Sequence, residues 1–307
     1  MITRKLGNTG WRVPLLSLGG QSALERTGPK ATPEAIEIIH HFLALGGNYI
    51  DTSPRYSARE GNRTSEKVIG KAIVGQNRDS FYLATKTEKR KEEQAWKDIN
   101  ESITTLGTTP DCIQIHHLDN RDEVKQVFSK DGAMKALIRA KDQKLTKFIG
   151  ITGHRDPGVL MNALKKYRFD TVLGAFNAAD AHMKQMSFQR ELIPHCDQND
   201  IGFIAMKTCS RGALLSTEVA IQSMENLLHY VWSFPVTTAI VGMNNMAQLD
   251  RNMTLAKNFK KMSSYRKHKL EELTSKNARN VMYFNKNGNE KFWKFYRRGV
   301  ETPMFVV

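Results

Sequence analysis

Cysteine is scarce in this chain of 307 residues: only Cys112, Cys196 and Cys209 occur, with no Cys-x-x-Cys pair. Three such residues make no disulfide framework, and the expected home of the chain is a reducing cytoplasm. Long apolar runs are missing as well. None approaches the ~20 residues that cross a bilayer, so no membrane partner is expected. The opening Met1-Ile2-Thr3-Arg4-Lys5-Leu6-Gly7 lacks the apolar centre of a signal peptide. Acidic residues are in deficit, 31 against 46 Lys and Arg, for a net charge of +15. A clustered excess of that size would suggest binding to nucleic-acid phosphates. Here the basic residues spread over the whole length, with mild concentrations at Lys86–Lys91 and in the C-terminal third. That distribution fits a solvated basic surface, and no nucleic-acid partner is expected. The same field would favour an anionic cofactor. A Gly-x-Gly-x-x-Gly after the first strand is also absent. Only Gly19-Gly20 stands there, which excludes the dinucleotide fingerprint of the open Rossmann sheet.

What is present is a soluble composition, 40% hydrophobic and 25% charged, able to bury a core. The chain opens with a hairpin pattern, Ile2–Leu6 and Arg12–Pro14 around the turn Gly7-Asn8-Thr9-Gly10. Eight apolar strand candidates follow: Leu15–Gly19, Asn48–Asp51, Phe81–Lys86, Cys112–His116, Thr146–Ile151, Thr171–Phe176, Gly202–Met206 and Thr237–Val241. Helical periodicity fills the gaps, as in Glu34–Leu45, Ser65–Ile73, Glu92–Leu106 and Asp122–Ala140. Thr32 and Pro33 read as N-cap and first position of the first helix. Eight strand–helix alternations without a linker predict one domain over residues 1–307, an α/β (β/α)8 TIM barrel. Residues 1–14 form its hairpin. From about Phe259 the pattern changes to basic helical turns and an aromatic tail, a C-terminal helical extension over about 259–307.

Asp51, Lys86 and His116 each close a strand candidate, and Tyr56 follows just beyond Asp51 in Asp51-Thr52-Ser53-Pro54-Arg55-Tyr56. The C-terminal ends of the strands are where this barrel carries its chemistry. Asp, Tyr, Lys and His together make a proton-transfer set. Alone, each has an ordinary structural use as a cap, packing residue or solvated side chain; together at the ends of strands two, three and four they point to a site. Alternation along the strand favours His116 over His117 for the inward position. No third or fourth ligand is suitably spaced beside His116, His117 and Asp119, so no metal is expected.

Several ordered blocks resemble the aldo-keto reductase family. Gly46-Gly47-Asn48-Tyr49-Ile50-Asp51-Thr52-Ser53-Pro54-Arg55-Tyr56 is similar to its Gly-x-Asn-x-x-Asp-Thr-Ala-x-x-Tyr signature. Ser65-Glu66-Lys67-Val68-Ile69-Gly70-Lys71-Ala72 resembles its Ser-Glu-x-x-x-Gly-x-Ala helix. Leu83-Ala84-Thr85-Lys86 and Asp111-Cys112-Ile113-Gln114-Ile115-His116 match the next two blocks. The resemblance, which runs from Leu6 to Asn252, implies a catalytic tetrad of Asp51, Tyr56, Lys86 and His116. In it Tyr56 is the general acid, Lys86 lowers the phenol's pKa, Asp51 pairs with Lys86, and His116 orients the carbonyl oxygen.

The second half resembles the family's cofactor site with departures. Gly150-Ile151-Thr152-Gly153-His154 stands where much of the family has Gly-x-Ser-Asn, so Thr152 and Gly153 take the carboxamide positions. Leu173 replaces a common nicotinamide-binding Gln, with Asn177 following. Met206 replaces the stacking tyrosine and could equally be plain core. Lys207, Cys209 and Arg211 offer a phosphate-binding loop after strand seven. Gly242, Asn245, Gln248, Arg251 and Asn252 resemble the adenosine clamp, with Gln248 where an Arg often grips a 2′-phosphate. Gly20, Gln21 and Asp51 complete the implied contacts. The resemblance thus implies an NADP(H)-dependent oxidoreductase acting on a small-molecule aldehyde or ketone, with NAD(H) open and oligomeric state unread. A nicotinamide-nucleotide-binding regulatory protein with little or no turnover is the alternative, motivated by Gly153, Leu173 and Met206. A Schiff-base aldolase using Lys86 is a third reading.

Overall fold

The computed structural model describes residues 1–57, 61–182, 187–215, 223–275 and 278. The basic stretch 291–298 and most of the expected C-terminal extension lie outside the described residues. An antiparallel hairpin, β1 (Thr3–Lys5) and β2 (Arg12–Pro14), precedes everything else. Eight parallel strands then close a barrel: β3 (Leu16–Gly19), β4 (Tyr49–Asp51), β5 (Tyr82–Thr87), β6 (Cys112–Ile115), β7 (Phe148–Gly153), β8 (Thr171–Ala175), β9 (Gly202–Met206) and β10 (Thr238–Val241). The last pairs with the first, Val241 beside Leu18, which closes the ring. Each strand matches one of the eight apolar runs. The helices between and after them are α1 (Ala31–Ala44), α2 (Thr64–Ala72), α3 (Glu92–Leu106), α4 (Arg121–Val127), α5 (Ala133–Asp142), α6 (Pro157–Leu164), α7 (Ile193–Gln198), α8 (Met224–Trp232), α9 (Met246–Lys257) and α10 (Ser264–Ser275).

Alternation along the strands sorts the core into two. Ile50, Leu83, Ile113, Ile115, Ile149, Ile151, Val172 and Phe203 pack outward against the helices. Tyr49, Tyr82, Ala84, Cys112, Leu173, Ile204, Met206 and Ile240 fill the interior, together with Leu6 and Val13 from the hairpin. The hairpin therefore plugs the barrel at its N-terminal end. Tyr82 meets Tyr49 edge-on at 4.9 Å and Trp11 at 5.6 Å. The plug is anchored by Arg4, whose guanidinium donates to the carbonyls of Trp232, Phe234 and Val236. A side chain on Gly7 would collide with the backbone of Asp200 and Gly202, so the turn needs glycine there.

Two helix expectations are corrected. The first helix begins at Ala31, with Lys30 as its cap residue and no side-chain cap bond. The Glu34 N–H already donates to the Lys30 carbonyl, which places Thr32 and Pro33 inside the first turn, where a missing N–H is harmless. The periodic stretch Asp122–Ala140 is two helices, α4 and α5. Gly132 breaks it, because a side chain there would strike the carbonyls of Gln126 and Val127. The turn also docks on the preceding loop, with Glu92 N–H donating to Asp131 O and Ala133 N–H to Arg90 O. The buried Val124 and Val127 of α4 and Met134, Leu137 and Ala140 of α5 keep helical spacing along the chain, so the apolar period runs across the gap.

Candidate active site

The inward register that holds Tyr49, Tyr82 and Cys112 continues toward the C-terminal mouth as Asp51, then Ala84 and Lys86, then Gln114 and His116. Asp51 and Lys86 are both almost wholly buried. Lys86 Nζ donates to Asp51 Oδ2 at 2.5 Å and to the Thr52 carbonyl at 2.7 Å. The other carboxylate oxygen accepts from Gln114 Nε2 at 3.1 Å. Burial raises the Asp51 pKa and lowers that of Lys86, and their mutual attraction opposes both shifts. At this distance and with these hydrogen bonds, the charged pair is the form held in place.

Tyr56 lies five residues beyond β4, half-buried, with the Lys86 ammonium 4.9 Å from its ring centroid. The His116 ring meets it edge-on at 5.9 Å. All four residues of the expected tetrad thus converge at one mouth. Burial first, and then Lys86, His117 and His154, hold His116 well below its usual pKa, so it stays neutral. Its Nδ1 is 3.3 Å from Ser53 Oγ and 3.4 Å from Glu88 Oε1. Glu88 is itself clasped by Arg55 Nη1 at 2.8 and 3.0 Å. Beneath them Glu66 accepts from Thr85 Oγ1 at 2.6 Å and from Arg63 at 2.9 Å, fixing β5 to α2.

Across the mouth, Thr152 is fully buried in the inward register, and its hydroxyl has no hydrogen-bond partner among the described residues. Gly153 faces the other way: a Cβ there would lie 2.9 Å from Leu160 of α6. Leu173 and Met206 belong to the interior cluster. Asn177 is engaged in shaping its loop, donating from Nδ2 to the Lys207 carbonyl at 3.0 Å and accepting from Ala179 N–H at 3.0 Å. After β9 the chain takes left-handed conformations at Lys207, Ser210, Arg211 and Gly212. Such runs turn backbone amides toward one side and build anion-binding concavities. Lys207 donates to Gln21 Oε1 at 3.1 Å. Burial, followed by repulsion from Arg211, pulls its pKa down to about 7. Cys209 sits in the same loop, its thiol pushed up by burial.

After β10, Gly242 passes so close to the first βα loop that a Cβ would lie 2.7 Å from Ser22 Oγ. Gly20 is equally confined, by Ser65 Oγ and the Asp51 carbonyl. Asn245 caps α9 by accepting from Gln248 N–H at 2.9 Å, and Gln248 Oε1 accepts from Asn244 N–H at 2.8 Å. Gln248 and Asn245 therefore serve the cap. Asn252 is buried on α9 and Arg251 is exposed. Sequence reasoning missed Arg26, which reaches Asn244 Oδ1 at 2.5 Å and brings a cation to the start of α9. It also missed Gln114, Glu88 and Ser53. Gln114 was within reach, two positions before His116 on the same face; Glu88 and Ser53 carry no spacing signal. His154 is a further omission: from the end of β7 it joins His117 and Asp119 in a cluster that counting along the chain had left without a third ligand.

A model described as the aldo/keto reductase family matches residues 15–229. Over 160 residues, 49% of this chain, the sequence is 33% identical to L-galactose dehydrogenase of Arabidopsis thaliana, and it spans about half (48%) of that relative. It is 25% identical over 270 residues to the uncharacterized oxidoreductase YqkF of Bacillus subtilis, covering 83% of this chain and 80% of the relative. The fold is that of an aldo-keto reductase from Bacillus halodurans in its holo form, with a TM-score of 0.72, 20% identity, and 89% and 96% of the two chains covered. It is likewise that of an aldo-keto reductase from Klebsiella pneumoniae in complex with NADPH, at a TM-score of 0.70, 16% identity, and 89% and 95% covered. With the family match spanning most of its length, this chain belongs to the aldo/keto reductase family.

Proposed function

We propose that this chain is an oxidoreductase that reduces an aldehyde or ketone to an alcohol, with NADPH as hydride donor and Tyr56 as general acid. The observation that carries the reading is the buried Lys86–Asp51 pair holding an ammonium over the Tyr56 ring. A free phenol, with a pKa near ~10, gives up its proton reluctantly at neutral pH. A cation held beside it stabilises the phenolate that proton donation leaves behind. Asp51 keeps that cation charged inside a barrel that would otherwise strip its proton. Ser53 can donate to His116 Nδ1, which leaves Nε2–H of the neutral imidazole to orient the carbonyl oxygen. Arg55 meanwhile neutralises Glu88, so no uncompensated carboxylate faces the ring.

The donor set opposite suits a nicotinamide dinucleotide. The unpartnered Thr152 hydroxyl would take the carboxamide beside Gly153 and Asn177, with Met206 under the ring. The left-handed loop with Lys207, Cys209 and Arg211 would take the pyrophosphate, and Gly20 and Gln21 would line the same passage. Gly242, Asn245, Gln248, Arg251 and Asn252 would frame the adenosine, with Arg26 and Arg251 as cations for a 2′-phosphate. NADPH, when bound, supplies the hydride; placement and proton delivery fall to the protein. Similarity to a protein named L-galactose dehydrogenase makes oxidation of an alcohol the second arm of the assay.

The test is Tyr56→Phe. NADPH oxidation with a panel of reactive aldehydes should fall roughly 10²–10⁴-fold, while NADPH binding, followed by fluorescence titration, stays intact. Full activity in that variant would overturn the assignment. Wild-type protein that binds NADPH yet turns over no aldehyde or alcohol would favour the regulatory alternative.

A further inference from the structure

Beside the tetrad, the paired ends of β6 and β7 deliver a second group of chemically capable side chains. His117 and Asp119 come from the segment after β6, and His154 directly follows β7. The His117 and His154 rings lie 5.1 Å apart, and one ligand atom from each of the three residues falls within 4.8 Å of the others. His117 Nδ1 and Asp119 Oδ1 are buried without a hydrogen-bond partner among the described residues. His117 Nδ1 is only 3.1 Å from Asp119 Oδ2 but out of hydrogen-bonding alignment. A buried polar atom left without a partner is destabilising until a ligand engages it. Two such atoms in one cluster, facing a second imidazole, have the character of ligand atoms.

We propose that His117, Asp119 and His154 form a binding site for a divalent transition-metal ion of the zinc class. Two imidazoles and one carboxylate are a donor set that binds such ions with at least one coordination position open. Magnesium and calcium, which take oxygen ligands, are not suited to it. Arg155 Nε stands 3.5 Å from Asp119 Oδ2, and Lys207 and Arg211 also act on His154. The surrounding field therefore opposes a cation, and binding rests on the ligand bonds themselves. The ion would stand next to His116, whose ring is 5.3 Å from that of His117 and 6.3 Å from that of His154. Its open position would then lie at the rim of the proposed carbonyl pocket.

The experiment is titration of the full-length protein with Co²⁺, read by the visible absorption of the bound ion, followed by competition with Zn²⁺ and Mg²⁺. The expected result is one equivalent per chain, displaced by Zn²⁺ and not by Mg²⁺. His154→Gln and Asp119→Ala should each weaken binding roughly tenfold or more. Arg155→Gln should leave it unchanged or tighten it, and His268→Gln, an exposed histidine flanked by Glu271 and Glu272, should leave it unchanged. Circular-dichroism melts of each variant separate lost binding from lost folding, and either of the two ligand variants suffices if the other fails to fold. No saturable absorption, wild-type affinity in His154→Gln, or loss that follows His268 would overturn the site.

Discussion

Lys86 and Lys207 are two lysines at one barrel mouth held in opposite electrostatic settings. Lys86 is pressed against a carboxylate, whereas Lys207 donates to the neutral Gln21 amide with the Arg211 guanidinium nearby. Burial lowers both, but for Lys207 the neighbouring cation adds to the shift and brings its pKa to about 7. The folded chain therefore binds fewer protons at Lys207 than the unfolded chain does between about pH 7 and the ordinary lysine value. Its penalty on stability is present in full below that window and is relieved as pH rises through it. A bound pyrophosphate reverses the shift, since an anion favours the ammonium. NADPH binding near pH 8 should accordingly take up a proton, measurable by calorimetry in two buffers of different ionisation enthalpy. Lys207→Met should reduce the uptake, and equal uptake in both proteins would show that another group is responsible.

At the level of single elements, β7 and α6 meet closely where this chain departs from the family pattern after Thr152. A Cβ at position 153 would lie 2.9 Å from the Leu160 side chain, so an Asn there requires Leu160 of α6 to shift. Gly153→Asn should cost about 1–3 kcal/mol, read as a lower urea midpoint. Leu160→Ala, though damaging alone, should make the Asn substitution less costly in the double variant. An unchanged midpoint in Gly153→Asn would mean that Leu160 moves aside freely. The same element marks how far the sequence could be read. All eight strands were legible, because short apolar runs between amphipathic helices leave little else to be. Asp51, Lys86 and His116 were legible because they end such runs, and Tyr56 because its spacing from Asp51 matches a known signature. The α4–α5 break was hidden, since the buried positions of the two helices keep helical spacing across it. Glu88, Arg26 and His154 were hidden for a different reason: each acquires its partner across loops from distant parts of the chain, a relation that no local period encodes.

On the scale of the whole molecule, the excess of positive charge is the property the sequence displayed most plainly and assigned least. The fold gives part of it a place. Lys207, Arg211 and Arg26 stand at the C-terminal side of the barrel, beside the loops after β9 and β10, where phosphate groups are bound in barrels of this type. The rest of the +15 adds a diffuse field that attracts an anion before any contact forms. Direct contacts inside the loop are partly sheltered from salt, whereas the diffuse field is not. Raising the salt from about 0.05 to about 0.5 M shortens the screening length from roughly 14 to roughly 4 Å. The Kd for NADPH, measured by fluorescence titration, should then weaken several-fold, mainly through a slower association rate. Arg211→Gln should weaken binding at every salt concentration and leave the remaining slope largely in place, because it removes a contact and not the field. A Kd that does not move with salt would assign all of the attraction to the loop and none to the surface charge. Retention of RNA at moderate salt would instead return that charge to the nucleic-acid role its distribution argues against.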